Sequence, residues 1–273
     1  MPLYQAIVLA IVQGLTEVLP ISSTAHLALF PWLLGWKDPG LTYDVALHVG
    51  TLIAVLAYFW RPWLDMFSAA SGIGRFQNPH SAEDRRLFWF LVVATIPAGV
   101  AGWLFESAAE NQLRRPELIA MALIVVGLLM WAGDRARTPK VALRQVNLVD
   151  ALLVGLAQAV AVIPGVSRSG ATMTTALFRG VNRETAARFS FLLSTPIIGG
   201  AALKKSVEVL HHGIPPEMRL PFLVGILVAA VSGYLVIAWL IRYLEHRTFK
   251  IFVVYRVALG VVVLLLGWGL RHA

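Results

Sequence analysis

Glu17, Ser23, His26 and Arg168 are ionisable or nucleophilic residues in or beside apolar stretches, where lipid would leave them unsolvated. Ionisable groups at membrane depth mark function by default. Two polar breaks carry them. The first is Gln13-Gly-Leu-Thr-Glu-Val-Leu-Pro-Ile-Ser-Ser-Thr-Ala-His26, and the second is Gln158-Ala-Val-Ala-Val-Ile-Pro-Gly-Val-Ser-Arg-Ser-Gly-Ala-Thr172. Each runs through a proline into a Ser/Thr cluster. In the second, a Gly/Ser-rich turn opens a helix, and free N–H groups at a helix start bind anions. Adding the Arg168 guanidinium and the hydroxyls of Ser167, Ser169 and Thr172 makes a phosphate cradle. A merely snorkelling arginine would need none of these neighbours.

A serine nucleophile requires a base within hydrogen-bond reach. His26 lies near Ser23 on the first turn of the following helix, and Glu17 can approach from the preceding one, so both are candidates. Ser22, Ser23 and Thr24 also suit helix capping, which is compatible with a neighbouring nucleophile. Glu17 is the one carboxylate well inside an apolar segment, with Gln13 four residues earlier on the same helical face. It suits a general-base or divalent-metal role, or else pairs with Arg168 and holds the breaks together. Arg256, inside the last apolar segment, would be a second cation on the same anion. His48 is a structural histidine or a partner of the site one layer out.

The elements that position these groups are helices in a membrane. Of 273 residues, 58% are hydrophobic and only 14% charged, with a mean hydropathy of +0.72. A soluble domain would carry about 25% charged residues. The apolar runs lack the alternation of an outer-membrane barrel. The first run has no basic leader and contains Gln13 and Glu17, unlike a cleaved signal peptide. The absence of cysteine excludes disulfides and thiolate metal sites. The basic pI of about 10.2 reflects basic loops of a positive-inside topology rather than nucleic-acid binding.

Ten apolar segments are expected, at roughly 3–19, 24–36, 43–60, 87–105, 118–133, 148–163, 170–181, 188–203, 221–243 and 251–270. The second and seventh are short and follow the breaks. Broken backbone at membrane depth must be buried in protein or line a cavity, so 3–36 and 148–181 read as re-entrant helical hairpins. The expected fold is all-α, with six transmembrane helices and two opposed hairpins. Fourteen of the 23 Lys and Arg residues then fall on one side and seven on the other, leaving Arg168 and Arg256. This bias makes the richer side cytoplasmic and places both termini outside. Residues 1–133 and 148–273 each read as a hairpin followed by three spans. An odd number of spans inverts the second repeat relative to the first, an arrangement common among transporters with a site at the repeat interface.

The motifs Gln13-x-x-x-Glu17, Leu19-Pro-Ile-Ser-Ser-Thr-Ala-His26 and Pro164-Gly-Val-Ser-Arg-Ser-Gly-Ala-Thr172 resemble the undecaprenyl-diphosphate phosphatase (bacitracin-resistance) family. So do Asp44-x-x-x-His48-x-Gly-Thr, Phe189-Ser-Phe-Leu-Leu and Tyr255-Arg256. The resemblance runs the length of the chain. It implies an inner-membrane enzyme that hydrolyses undecaprenyl diphosphate to the monophosphate and phosphate, recycling the carrier for peptidoglycan synthesis and conferring bacitracin resistance. It further implies a Mg²⁺ or Ca²⁺ cofactor with Glu17 as ligand, a periplasm-facing site and a homodimer. Carried over residue by residue, the catalytic core is Glu17, Ser23, His26 and Arg168. Gln13, Ser22, Thr24, Ser167, Ser169, Gly170, Thr172 and Arg256 are the substrate contacts. Where some members of the family have a second glutamate this chain has Gln13, which leaves Glu17 the sole acidic candidate.

The expected chemistry is in-line attack by Ser23 on the terminal phosphorus, or attack by water with Ser23 as binder. Arg168 and the cation would stabilise the phosphoryl oxygens. The competing class is a transporter that carries undecaprenyl phosphate across the bilayer in the same cradle.

Overall fold

Proline and glycine placement accounts for where the helices of this computed structural model stop. It describes residues 1–37, 40–72, 80–111, 113, 115–136 and 141–272. Helix α1 (Leu3–Val18) ends where Leu19, the residue before Pro20, is extended at φ −68° and ψ 141°, the conformation a following proline favours. After the break comes α2 (Ser23–Leu34). In the second half α7 (Leu148–Val160) gives way to the Pro164-Gly165 turn, and α8 (Arg168–Phe178) follows. Gly165 has φ +92°, and a Cβ there would run into the backbone of Ile119, so the turn requires glycine.

Around these two broken pairs lie α3 (Leu41–Tyr58), α4 (Trp60–Ser71), α5 (Ser81–Asn111), α6 (Pro116–Ala136), α9 (Arg183–His212), α10 (Pro216–His246) and α11 (Lys250–His272). Among the described residues the only β pairing is an isolated bridge between Val141 and Val181, and the fold is all-α. Among the described residues five helices are long and apolar enough to cross a bilayer: Ser81–Phe105, Pro116–Ala136, Arg183–Lys204, Pro216–His246 and Lys250–Gly267. The segment expected at 43–60 differs. It stops at Tyr58, and the chain turns by 75° into α4, so a sixth span exists only if this bent pair counts as one. Helix α4 carries Trp60, Trp63, Arg61 and Asp65, and the Arg61 guanidinium lies 5.1 Å from the Trp60 ring centroid. Aromatic and charged side chains on one short helix suit a bilayer interface better than its interior.

The molecule is apolar outside, and its apolar core encloses a set of buried polar side chains. Trp103, Leu203, Val231, Leu235 and Leu265 are exposed, whereas Gln13, Ser22, Ser23, His26, Thr172 and Arg256 are buried. This surface suits lipid, and the protein is a multi-pass membrane protein. Helices approach closely through small residues, as lipid-embedded helices do. A Cβ on Gly50 of α3 would collide with the Ile226 carbonyl of α10, and one on Gly155 of α7 with the Ala94 backbone of α5.

Packing crosses between the halves. Helix α1 lies on α10, α7 lies on α5, and α6 lies on α11. At one end, ion pairs tie helix termini together: Arg179 Nε to Asp150 Oδ1 at 2.7 Å and Arg144 Nε to Asp84 Oδ1 at 3.1 Å. Arg75, Arg114, Arg137 and Lys140, used above in the loop-charge count, lie outside the described residues, as does Ala273, the last residue of the expected second repeat.

Candidate active site

Ser22 and Ser167 are the only non-glycine residues with positive φ among those described, at 76° and 70°. A Cβ makes that region costly, on the order of 1–3 kcal/mol. Each serine immediately precedes the helix after its break. Ser167 Oγ accepts from Gly170 N at 3.0 Å, and Ser22 Oγ accepts from Ala25 N at 3.4 Å. Both are therefore helix caps, and the first residue of each following helix, Ser23 or Arg168, is turned toward the same carboxylate.

That carboxylate is Glu17, in the last turn of α1. A negative charge there is opposed by the helix dipole and needs partners. Arg168 Nη2 donates to Oε1 at 3.0 Å. At Oε2, the Ser23 hydroxyl donates in a short hydrogen bond, Gln13 Nε2 donates at 3.3 Å, and His48 Nε2 lies at 3.3 Å. His48 Nδ1 faces the Asp44 carbonyl at 2.7 Å and must carry a proton there. His48 thus touches Glu17 directly.

The two breaks meet. Besides the Glu17–Arg168 pair, Ser169 Oγ donates to the Leu19 carbonyl at 3.2 Å. Ser169 also lies 3.2 Å from Ser167, and Thr24 lies 3.1 Å from Ser22. Thr172 does not join the cradle. Its hydroxyl bonds back to the Arg168 carbonyl at 2.8 Å and lies 2.6 Å from Ser190 on α9.

His26 is not on Ser23. Its Nδ1 faces the Ser22 carbonyl at 2.7 Å, and its Nε2 lies 2.7 Å from the Tyr255 hydroxyl. The two rings are stacked, 5.6 Å apart and 10° from parallel. A carbonyl only accepts, so Nδ1 carries the proton and Nε2 of the neutral ring accepts from Tyr255.

Arg256 is wholly buried and spends its donors on backbone. Nη1 reaches the Pro20 carbonyl at 3.0 Å, Nη2 reaches Gly165 at 2.9 Å and Val166 at 3.0 Å, and Nε reaches Leu123 at 3.2 Å. It clamps both breaks to α6. Gly170 makes room for it, since a Cβ there would stand 2.9 Å from Nη1. Arg256→Lys keeps the charge but not the planar fork. Each buried carbonyl left without a donor costs about 1–3 kcal/mol, so a lower melting temperature in detergent is expected. An unchanged melting temperature with a raised KM would put the guanidinium on the anion instead.

The site differs from the sequence expectation in two further ways. Tyr255 could have been suspected from a hydroxyl next to Arg256 in an apolar helix. Gln158, the first residue of the second break, is buried, and neither amide atom has a partner among the described residues.

A carboxylate holding a serine hydroxyl and an arginine in a buried, lipid-bounded site can take the serine proton beside a cation suited to an anion. A family model described as bacitracin resistance protein BacA matches residues 6–262. Curated relatives named undecaprenyl-diphosphatase include one from Moorella thermoacetica, 52% identical over 98% of this chain and 99% of its own length. Another, from Desulforudis audaxviator, is 50% identical over 97% of each. A third, from Pelotomaculum thermopropionicum, is 47% identical over 98% of this chain and 97% of its own length.

Proposed function

The chain belongs to the bacitracin resistance protein BacA family, and from that premise we propose that it hydrolyses undecaprenyl diphosphate to undecaprenyl phosphate and inorganic phosphate, recycling the lipid carrier for cell-wall synthesis. The observation that carries the chemistry is the Glu17 carboxylate, which accepts Ser23 from one break and Arg168 from the other.

The reaction is written in two steps. Ser23 Oγ attacks the terminal phosphorus while its proton passes to Glu17. The bond from that phosphorus to the bridging oxygen breaks, and undecaprenyl phosphate leaves. Glu17 hands the serine proton to the departing phosphate oxygen, which resets the carboxylate. Water then attacks the phosphoserine and gives a proton to Glu17, which returns it to Ser23 Oγ as the Ser23–phosphorus bond breaks and phosphate is released. Arg168 stabilises charge on the transferring oxygens. Glu17 is favoured over His26 as the base because both His26 nitrogens are engaged elsewhere.

Glu17 and Gln13 fit a hard divalent cation, Mg²⁺ or Ca²⁺. Gln13 Oε1 is a buried oxygen beside the carboxylate, without a partner among the described residues. Among the described residues no three His, Cys, Asp or Glu side chains cluster, so substrate oxygens and water would complete its shell. When bound, the cation would neutralise diphosphate charge.

The architecture we propose is an inverted repeat with opposed re-entrant hairpins, α1–α2 and α7–α8, opening to the periplasm. The cross-half packing of α1 on α10 and α7 on α5 supports it, as do the matched serines at 22 and 167. The loop-charge bias supports the orientation. A homodimer is a proposal carried by the resemblance alone.

Ser23→Ala tests the covalent route. Purified in detergent, it is expected to release phosphate from undecaprenyl diphosphate roughly 10³-fold more slowly, a loss within the range for removing a nucleophile. Near-normal release would leave water as the nucleophile. A transporter without hydrolysis would release none even as wild type.

A further inference from the structure

A cavity of about 220 Å³ lies between α3, α5, α7 and α9. Its polar lining is His48, Gln158 and Arg168, and Ala98, Val162 and Ile197 are among its apolar walls. Neither Glu17 nor Ser23 lines it. Arg168 and His48 therefore face the reacting serine through Glu17 on one side and this cavity on the other.

Gln158 is 3% exposed, and both its polar side-chain atoms lack partners among the described residues. The reason can be read from the first half. Gln13 stands nine residues before the positive-φ Ser22, as Gln158 stands nine before Ser167. Gln13 donates to Glu17, four residues on. The residue four after Gln158 is Val162, which offers no acceptor and itself lines the cavity. A buried amide left unpaired costs about 1–3 kcal/mol, and such a group in a native protein calls for a functional or structural explanation.

We infer that this cavity binds the lipid-linked phosphate of a prenyl diphosphate together with its first prenyl carbons, and that Gln158 donates its amide hydrogen to that phosphate. The inference rests on the hydrolase reading for the placement of the terminal phosphate at Ser23. With that phosphate at Ser23, the next group along the molecule is the one that reaches past Arg168. The volume has room for a phosphate and a few carbons. The apolar walls suit carbons adjoining the headgroup, and the rest of the chain would run into lipid. The product, a prenyl monophosphate, is then the natural occupant once its bond to the terminal phosphorus has broken.

The test uses equilibrium binding of farnesyl monophosphate to the purified full-length protein in detergent, beside hydrolysis of farnesyl diphosphate. Gln158→Leu replaces the orphaned amide with an apolar side chain. It is expected to weaken farnesyl monophosphate binding about tenfold, to raise KM for the diphosphate by a similar factor, and to leave competition by inorganic phosphate unchanged. Gly102→Leu enters the same cavity from α5, where an added Cβ meets nothing within 4 Å, and should reproduce the pattern. Unchanged farnesyl monophosphate affinity in both variants overturns the inference. So does weakened competition by inorganic phosphate of equal size, which would place Gln158 on the reacting phosphate. Because binding is read without turnover, an inactive wild type that still binds farnesyl monophosphate through Gln158 would sink the hydrolase reading and keep the pocket.

Discussion

Arg168→Ala is expected to lower kcat/KM for undecaprenyl diphosphate by about 10³–10⁴-fold, with most of the loss in kcat. Cations and donors aimed at a transferring phosphoryl group are among the largest single contributions to such reactions, on the order of 10³–10⁵ for an arginine. Here the guanidinium has a second task. It holds Glu17 at 3.0 Å, and side-chain exposures of 21% and 10% mean that the pair is only partly screened by solvent. Removing one member of a buried pair strands the other, with losses of about 3–5 kcal/mol in fully buried cases. The melting temperature of Arg168→Ala must therefore be read beside its rate. Arg168→Lys separates the roles: it restores the charge opposite Glu17 but lacks the planar fork that can serve carboxylate and phosphate together. It should recover stability and little rate. Normal kinetics in Arg168→Ala would remove this residue from the anion site.

Glu17→Gln is expected to cost about 10²–10⁴-fold in kcat, the usual range for a general base. The substitution is close to isosteric, and the amide oxygen can still accept from Ser23. What disappears is the ability to take the serine proton and the negative charge between Arg168 and His48. KM should change less than kcat, because the diphosphate brings negative charge of its own to the same cations. If Glu17→Gln turns over at near the wild-type rate, the base is elsewhere, and His26 with Tyr255 becomes the pair to examine. Tyr255→Phe would then slow the reaction as well, since it removes the hydroxyl facing His26 Nε2.

Much of the site was legible in the chain. Glu17 and Arg168 stood out because an apolar surround leaves few reasons to retain a charge. The Pro20 and Pro164 breaks stood out because proline restricts its own φ and the residue before it. These are local effects, and local spacing is enough to reveal them. The coupling of Ser23 to Glu17 was available as one of two choices, and the helix-capping role of Ser22 as one use of a serine cluster.

Other assignments depended on what packs across the chain. Arg256 read as a second cation for substrate, because an isolated arginine in an apolar helix gives no sign that backbone carbonyls will surround it. Those carbonyls come from Pro20, Leu123, Gly165 and Val166, all distant in sequence. Thr172 read as part of the cradle, but helical geometry turns its hydroxyl back onto its own helix and toward Ser190. Helix α3 read as a span to residue 60, while the turn at Phe59 lays α4 at 75°.

The sequence by itself determined that this is an apolar, helical chain with two broken segments, and which charged residues they carry. Composition and proline act on the chain wherever it folds. Only the tertiary structure decided which donor meets which acceptor. That Glu17 meets Arg168 as well as its neighbour Ser23, and that Gln158 is left facing a cavity, follows from the approach of helices that are distant in sequence. Side chains at such separations have no fixed relation until packing sets the distance between them.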